Sequence, residues 1–348
     1  MENTIRILVV EDNLVVQHYI RGALSTEPCN EIIAVIDNGI DALQAISTLK
    51  PDVVLLDLFL PGMDGIDVIR RVMADAPCPI VVLSAELDRK DQDLTFEAQR
   101  AGAVSVLAKP VGMEAEQFQQ FSQTLCKTIK LMSQVKVTRR WLSTPNTPPP
   151  PVIPTSTTAP RTLKDCTLVA IGSSTGGPAA LYSILEALGS DFPFSVLIAQ
   201  HIAVGFATTL SDWLAKTGCP IHIPEQGEVM QRGQVYLSPD NKHLVLGANQ
   251  TLFHVDNPSA RFTPSVDMLF DSVAHNYSGK IAAIILTGMG NDGTAGMHHL
   301  YRRGALTIAE DESSCVVFGM PAAAIAAGIV THTKSLPAIC EMFREVHH

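Results

Sequence analysis

Ser174 stands inside Gly172-Ser173-Ser174-Thr175-Gly176-Gly177-Pro178, a glycine-rich run that follows the apolar stretch Leu168–Ile171. A dinucleotide-binding fingerprint would need glycine where Ser174 stands, and a Walker A loop would need lysine where Pro178 follows Gly177. The spacing of Gly172, Ser174 and Gly176 does fit GxSxG, a strand-to-helix turn that presents a nucleophilic hydroxyl. Pro178 suits a first helical position, which places Ser174 beside free helix N–H groups able to stabilise an oxyanion. A glycine-rich turn of this kind also occurs without chemistry, so the partners matter. The next apolar run, Ser195–Ala199, ends in Gln200-His201, and Ile281–Leu286 runs into Thr287-Gly288-Met289-Gly290-Asn291-Asp292-Gly293. Taken singly, His201 suits a buried core and Asp292 suits the cap of the helix that follows it. Serine, histidine and aspartate at three strand ends make the arrangement of a nucleophile, its base and the group that orients the base. Their order, Ser…His…Asp, is not that of the α/β-hydrolases.

The first half of the chain carries a different set. Glu11 and Asp12 follow the apolar run Ile5–Val10, Asp57 follows Val53–Leu56, Ser84 follows Ile80–Leu83, and Lys109 comes just after Ser105–Leu107. Each acid alone could cap a helix. Together, three carboxylates in one crevice repel one another unless a hard cation joins them, and oxygen ligands of this number suit Mg²⁺. A carboxylate nucleophile, a metal, a hydroxyl and an ammonium are what phosphoryl transfer to aspartate requires.

For these groups to meet, the elements must bring their strand ends to one edge. In both halves short runs rich in branched residues alternate with amphipathic stretches. Helical patterns lie near 14–25, 39–49, 65–75, 88–101 and 114–135, then near 178–188, 206–216, 267–276, 294–303 and 321–327. Further strand candidates are Ile32–Ile36, Val235–Leu237 and Leu306–Ile308, with a small hairpin at Leu244–Leu246 and Thr251–His254. Alternation of this kind predicts α/β folds with parallel sheets covered on both faces, and reactive groups gather at the carboxyl ends of such strands. Residues 144–160 break the pattern with a Pro/Thr/Ser-rich stretch, expected to be a semi-extended tether. The organisation expected is 1–130 as a first domain, 131–162 as a helical end plus linker, and 163–346 as a second domain.

The remaining composition narrows the function classes. The 348 residues carry 25 basic and 35 acidic side chains, a formal net charge of −10, which disfavours a nucleic-acid partner. Mean hydropathy is +0.20, yet no apolar run approaches the ~18 residues of a membrane span. The seven cysteines are scattered with no CxxC pair, which points to reduced packing residues in a cytoplasmic protein rather than a disulfide frame or zinc site. His298 and His299 are adjacent and so diverge on a helix, a poor start for a metal site.

Asp57-Leu58-Phe59-Leu60-Pro61-Gly62-Met63-Asp64-Gly65, with Ala108-Lys109-Pro110, resembles the receiver domain of two-component response regulators over roughly residues 1–130. That resemblance implies a flavodoxin-like (βα)5 fold, Asp57 as phosphoacceptor, Mg²⁺ held by Glu11, Asp12 and Asp57, and phosphoryl contacts from Ser84 and Lys109. It also implies a cis peptide bond at Lys109-Pro110. Where receivers usually carry an aromatic switch residue, three positions before the lysine, this chain has Val106. The motifs around Ser174, His201 and Asp292, with Cys315-Val316-Val317-Phe318-Gly319-Met320-Pro321, resemble the catalytic domain of chemotaxis protein-glutamate methylesterases over roughly 163–346.

This second resemblance implies a Rossmann-like, mostly parallel catalytic domain with Ser174 as nucleophile, His201 as general base then acid, and Asp292 orienting the imidazole. Thr175 and Met289 would lie beside the oxyanion, and the ester chemistry would need no cofactor. The implied substrates are glutamate methyl esters, and glutamines, on methyl-accepting chemotaxis receptors, with a chemotaxis histidine kinase as phosphodonor. The domain order implies an unphosphorylated receiver that covers the triad face until Asp57 is phosphorylated. Two other classes remain open, a phospho-switched docking module without activity and a hydrolase of a non-receptor ester or amide. Arg261-Phe262-Thr263-Pro264-Ser265-Val266-Asp267 departs from the family's usual Arg-His-Arg-Pro-Ser-Val-Asp, and Ala322 stands where a basic residue usually follows Met-Pro. Both departures lie where a receptor helix would rest.

Overall fold

A computed structural model describes residues 4–84, 89–110, 112, 114–135, 137, 162–202 and 205–347. The expected tether at 144–160 lies outside them. The chain divides into two compact units, Met1–Thr144 and Pro145–His348.

In the first unit, strands β1 (Ile5–Val10), β2 (Asn30–Ile36), β3 (Val53–Asp57), β4 (Ile80–Ser84) and β5 (Ser105–Ala108) alternate with five helices. These are α1 (Leu14–Leu24), α2 (Gly39–Leu49), α3 (Gly65–Asp75), α4 (Arg89–Ala101) and α5 (Ala115–Met132). All strand pairs are parallel, in the order β2-β1-β3-β4-β5. Strands β3 and β4 are buried along their whole length, which is why they appear in sequence as unbroken branched runs without alternation. Asn13 and Asp64 cap α1 and α3 by accepting hydrogen bonds from backbone N–H groups, so each helix starts just past the crevice.

The second unit follows the same grammar on a wider sheet. Strands β6 (Leu168–Ser173), β7 (Ser195–Gln200), β8 (Ile221–His222), β9 (Val235–Leu237), β12 (Ile281–Ile285), β13 (Leu306–Glu310) and β14 (His332–Lys334) pair in parallel as β14-β13-β12-β6-β7-β9-β8. A separate antiparallel hairpin joins β10 (His243–Leu246) and β11 (Leu252–Val255), as the sequence predicts. The helices are α6 (Gly177–Leu188), α7 (Ala207–Ala215), α8 (Val266–Asn276), α9 (Thr294–Arg302), α10 (Met320–Ala326) and α11 (Leu336–Arg344). One core cluster joins Leu168, Ala170 and Ala283 of the central strands to Leu269, Phe270 and Val273 of α8.

The winding reverses between β1 and β3 in the first sheet and between β6 and β12 at the centre of the second. Crevices open at such reversal points because the flanking connections leave on opposite faces. Both predicted clusters of reactive residues sit at these points.

One expectation is corrected. The Lys109-Pro110 bond is not cis, and the cis peptide among the described residues is Thr263-Pro264. Trans is the lower-energy form of an X-Pro bond, and with it Lys109 still hydrogen-bonds from its N–H to the Ser84 carbonyl at 2.7 Å.

Candidate functional site

In the second unit β6 delivers its last residues into a turn at the sheet edge. Gly176 caps α6 with φ +80°, a left-handed conformation that glycine adopts without strain, and Pro178 opens the helix. Ser174 is therefore held between the strand end and the helix start. Its N–H donates to the Thr287 carbonyl at 3.0 Å, which fastens the turn to the loop after β12. That loop comes closest at Gly288, where an added Cβ would lie 2.7 Å from the Ser174 Cβ. Only a residue without a side chain lets the two loops meet this closely.

His201 follows β7 at the same edge, and its N–H donates to the Ser173 carbonyl at 3.0 Å. Gln200, buried beside it, was not singled out by sequence as more than a strand end. Its Oε1 accepts from the Ser173 hydroxyl at 2.6 Å, and its Nε2 donates to the carbonyls of Ser174 and His201 at 2.9 and 2.8 Å. One amide side chain thus ties the serine turn to the histidine strand. In sequence Gln200 is marked by its place at the end of the β7 run, one residue before His201.

The His201 Nε2 lies 2.7 Å from Asp292 Oδ2. Since a carboxylate can only accept, Nε2 carries the proton and Nδ1 is left as the basic nitrogen. Among the described residues Ser174 and the His201 ring share no hydrogen bond; such contacts often tighten only when substrate is bound.

Asp292 does not cap the helix it precedes, α9, whose cap is Gly293. It sits instead at the N-terminus of α8. Val266 N–H donates to Oδ2 at 2.7 Å, while Asp267 N–H, Gly293 N–H and the Ser265 hydroxyl donate to Oδ1 at 3.0, 3.1 and 3.1 Å. Burial alone would raise this carboxyl. The bond from His201 and the N–H groups of Asp267 and Val266 outweigh it and hold the Asp292 pKa below the ordinary range. Neighbouring Asp267 goes the other way, pushed up by burial and by the Asp292 charge.

Thr287 is a second connector that sequence did not mark. Its hydroxyl donates to the Thr175 carbonyl at 2.9 Å and accepts from Val317 N–H at 2.9 Å, while its own N–H donates to the buried Glu310 carboxylate at 2.8 Å. Thr175 and Met289 flank this junction, and among the described residues neither of their N–H groups meets a protein acceptor.

In the first unit the Lys109 Nζ lies 2.6 Å from Asp57 Oδ2 and 3.0 Å from Glu11 Oε2. Glu11 and Asp57 are almost wholly buried, and Ser84 lies on the adjoining strand end. Burial, then the Asp57 charge, raise the Glu11 pKa against the pull of Lys109. Burial pulls the Lys109 ammonium down, but Asp57 and Glu11 more than reverse it.

Glu11, Asp12 and Asp57 each present a carboxylate oxygen, all within 4.8 Å of one another. The buried Glu11 Oε2 lies 3.0 Å from the Lys109 ammonium but accepts no hydrogen bond among the described residues, so it retains acceptor capacity. Hard, oxygen-only donors with a spare buried oxygen fit a hard divalent cation such as Mg²⁺.

Comparison with known proteins now decides the family. The CheB methylesterase family matches residues 169–343, and the response regulator receiver family matches 7–117. A protein named protein-glutamate methylesterase/protein-glutamine glutaminase 4 from Geobacter metallireducens is 38% identical over 94% of this chain and 95% of its own. The chain belongs to the CheB methylesterase family. A similarly named relative from Myxococcus xanthus is 38% identical over 96% of this chain and 94% of its own. The crystal structure of the Thermotoga maritima CheB catalytic domain, 37% identical, covers 52% of this chain and 98% of that one with a TM-score of 0.49. The second unit thus belongs to an enzyme family, with a receiver domain ahead of it. No described helix is long and apolar enough to cross a membrane.

Proposed function

We propose that this CheB family chain hydrolyses glutamate methyl esters on methyl-accepting chemotaxis receptors, and deamidates receptor glutamines, with Ser174, His201 and Asp292 as its catalytic groups. The observation that carries this is the 2.7 Å His201–Asp292 bond, made at the sheet edge where Ser174 emerges. The names of the relatives supply the substrate class.

The Ser174 hydroxyl gives its proton to His201 Nδ1 as Oγ attacks the ester carbonyl carbon. Negative charge on the carbonyl oxygen is met by the N–H groups of Thr175 and Met289. Collapse breaks the C–OCH₃ bond, and the imidazolium returns the proton to the departing oxygen, releasing methanol. Water then attacks the acyl-serine, again deprotonated by His201, and free glutamate and Ser174 result. A glutamine substrate follows the same course with ammonia as leaving group. Asp292, kept ionised by the α8 N-terminus, holds the Nε2 proton in place and offsets the imidazolium charge.

Asp57 is the phosphoacceptor, fed by a histidine kinase, and its phosphorylation raises the activity of the second unit. Mg²⁺ bound by Glu11, Asp12 and Asp57 would offset charge on the arriving phosphoryl group, while Lys109 and Ser84 hold its oxygens. The direct test is methanol release from a methylated receptor cytoplasmic fragment, with and without acetyl phosphate and Mg²⁺, beside S174A and D57A. Release should rise with phosphorylation in the wild type, stay basal in D57A and vanish in S174A. No release from wild type with Asp57 phosphorylated would overturn the receptor assignment in favour of another ester or amide.

A further inference from the structure

Phe262, noted in sequence only as a departure, lies in the segment that leads into α8. Its ring is stacked on the His201 imidazole, with centroids 4.7 Å apart and planes 12° from parallel. It also adjoins the loop after β12, where a Cβ added at Gly290 would sit 3.8 Å from Phe262 Cζ. The Arg261 guanidinium carbon lies 5.5 Å from the same ring's centroid. Residues 262–267 therefore grip both members of the histidine–aspartate pair: Phe262 covers a face of the imidazole, and Ser265, Val266 and Asp267 donate to the carboxylate.

A single bond at Nε2 leaves the imidazole free to swing about its Cβ–Cγ axis, which would carry Nδ1 away from Ser174. A parallel aromatic face removes that freedom, because rotation would drive the ring edge into it. The face also acts when the base is loaded. Once His201 holds the Ser174 proton it is a cation, and the electron-rich face of a phenyl ring attracts a cation whose ion-pair partner is Asp292.

We propose that Phe262 is a positioning residue for the proton transfer: it fixes the plane of His201 and stabilises the imidazolium that forms when Nδ1 takes the Ser174 proton. The proposal rests on the assignment of Ser174 and His201 above, though not on the receptor as substrate. In this scheme the ring acts through His201.

The test uses the full chain and the variants F262L, F262A and F262Y, assayed on p-nitrophenyl acetate and on a methylated receptor fragment, with S174A as the zero. F262L, which fills space without a π-face, and F262A should both lose about 3- to 30-fold in kcat with little change in KM. F262Y should recover most of the wild-type rate. In ¹³C-labelled histidine spectra, assigned with H201Q, the His201 ring protons should be shifted by the Phe262 ring current in wild type and move back in F262L. Unchanged kcat in F262L, a loss confined to KM, or F262Y no better than F262L would overturn the role. Wild type active on p-nitrophenyl acetate but releasing no methanol would remove the receptor as substrate and leave the small ester to decide about Phe262. No Ser174-dependent turnover of either ester would overturn both.

Discussion

The Asp292 carboxylate serves two masters at once: Oδ2 lies 2.7 Å from His201 Nε2 and also 2.7 Å from the N–H of Val266, the first residue of α8. Orientation of the base and the start of a core helix therefore depend on the same two oxygens.

Replacing that carboxylate by an amide should separate geometry from charge. In Asp292→Asn the side chain keeps its size, but an –NH₂ facing Nε2 forces the imidazole proton onto the other nitrogen. Turnover should fall by about 10⁴-fold, as buried carboxylate partners of this kind show elsewhere, with KM nearly unchanged. Steady-state kinetics on the receptor fragment checks this, and a loss under tenfold would remove Asp292 from the mechanism.

The same residue gives the second unit an acid-sensitive component. Its folded pKa is depressed, so ionised Asp292 contributes stability in full above its unfolded value near about 3.9, and this is lost as pH falls through the lower folded value. Denaturant unfolding of wild type and Asp292→Asn across a pH series should show a gap at neutral pH that closes in acid. A gap independent of pH would contradict the linkage.

Gly288→Ala should injure activity far more than folding. The new methyl would lie 2.7 Å from Ser174 Cβ and 2.5 Å from the Met320 sulfur, too close for either to stay in place, and a nucleophile displaced by about 1 Å is badly aligned. Misplacement on this scale costs about 10²-fold in rate. Labelling of Ser174 by a fluorophosphonate, read beside circular dichroism, would separate a displaced serine from an unfolded chain.

In the first unit Glu11 is raised by burial and by Asp57, so its ionised form opposes folding at neutral pH. Stability linked to Glu11 is present below its unfolded pKa and is lost as pH rises through the folded one. Glu11→Gln should accordingly raise the receiver melting temperature in metal-free buffer, by about 4–8 °C for each kcal/mol relieved. Mg²⁺ should stabilise the wild type in a concentration-dependent way, and EDTA should reverse it. The variant should lose most of that response; an undiminished Mg²⁺ effect in Glu11→Gln would exclude Glu11 as a ligand.

The elements legible in sequence were those with a strong local signature. Buried central strands such as β3, β6 and β12 show as branched runs, and α6 announces itself through Gly176, Gly177 and Pro178. The edge strands β8 and β14 were missed, since Ile221–His222 and His332–Lys334 are short, half-exposed and polar, and exist only because β9 and β13 offer free backbone edges. Helix α11 was missed too, although Ser335, Leu336 and Pro337 form a recognisable start and Ile339, Cys340 and Phe343 its buried face. His299 pairs with Asp271 at 2.6 Å, a partner 28 positions away that the adjacent His298-His299 pair does not announce.

Residue chemistry and strand order were present in the chain itself: which serine, histidine and acids stand after strands, and that the two halves belong to receiver and methylesterase families. Local spacing suffices for that, because a strand end and its loop are contiguous. The partners of those residues were decided only in three dimensions. Nothing local links Asp292 to Val266, Gln200 to Ser174, or Phe262 to His201, separated by 26, 26 and 61 positions. These contacts arise where the sheet reverses its winding and brings distant loops to one edge, and hydrogen-bond directions and ring stacking, which depend on atomic positions, do the rest.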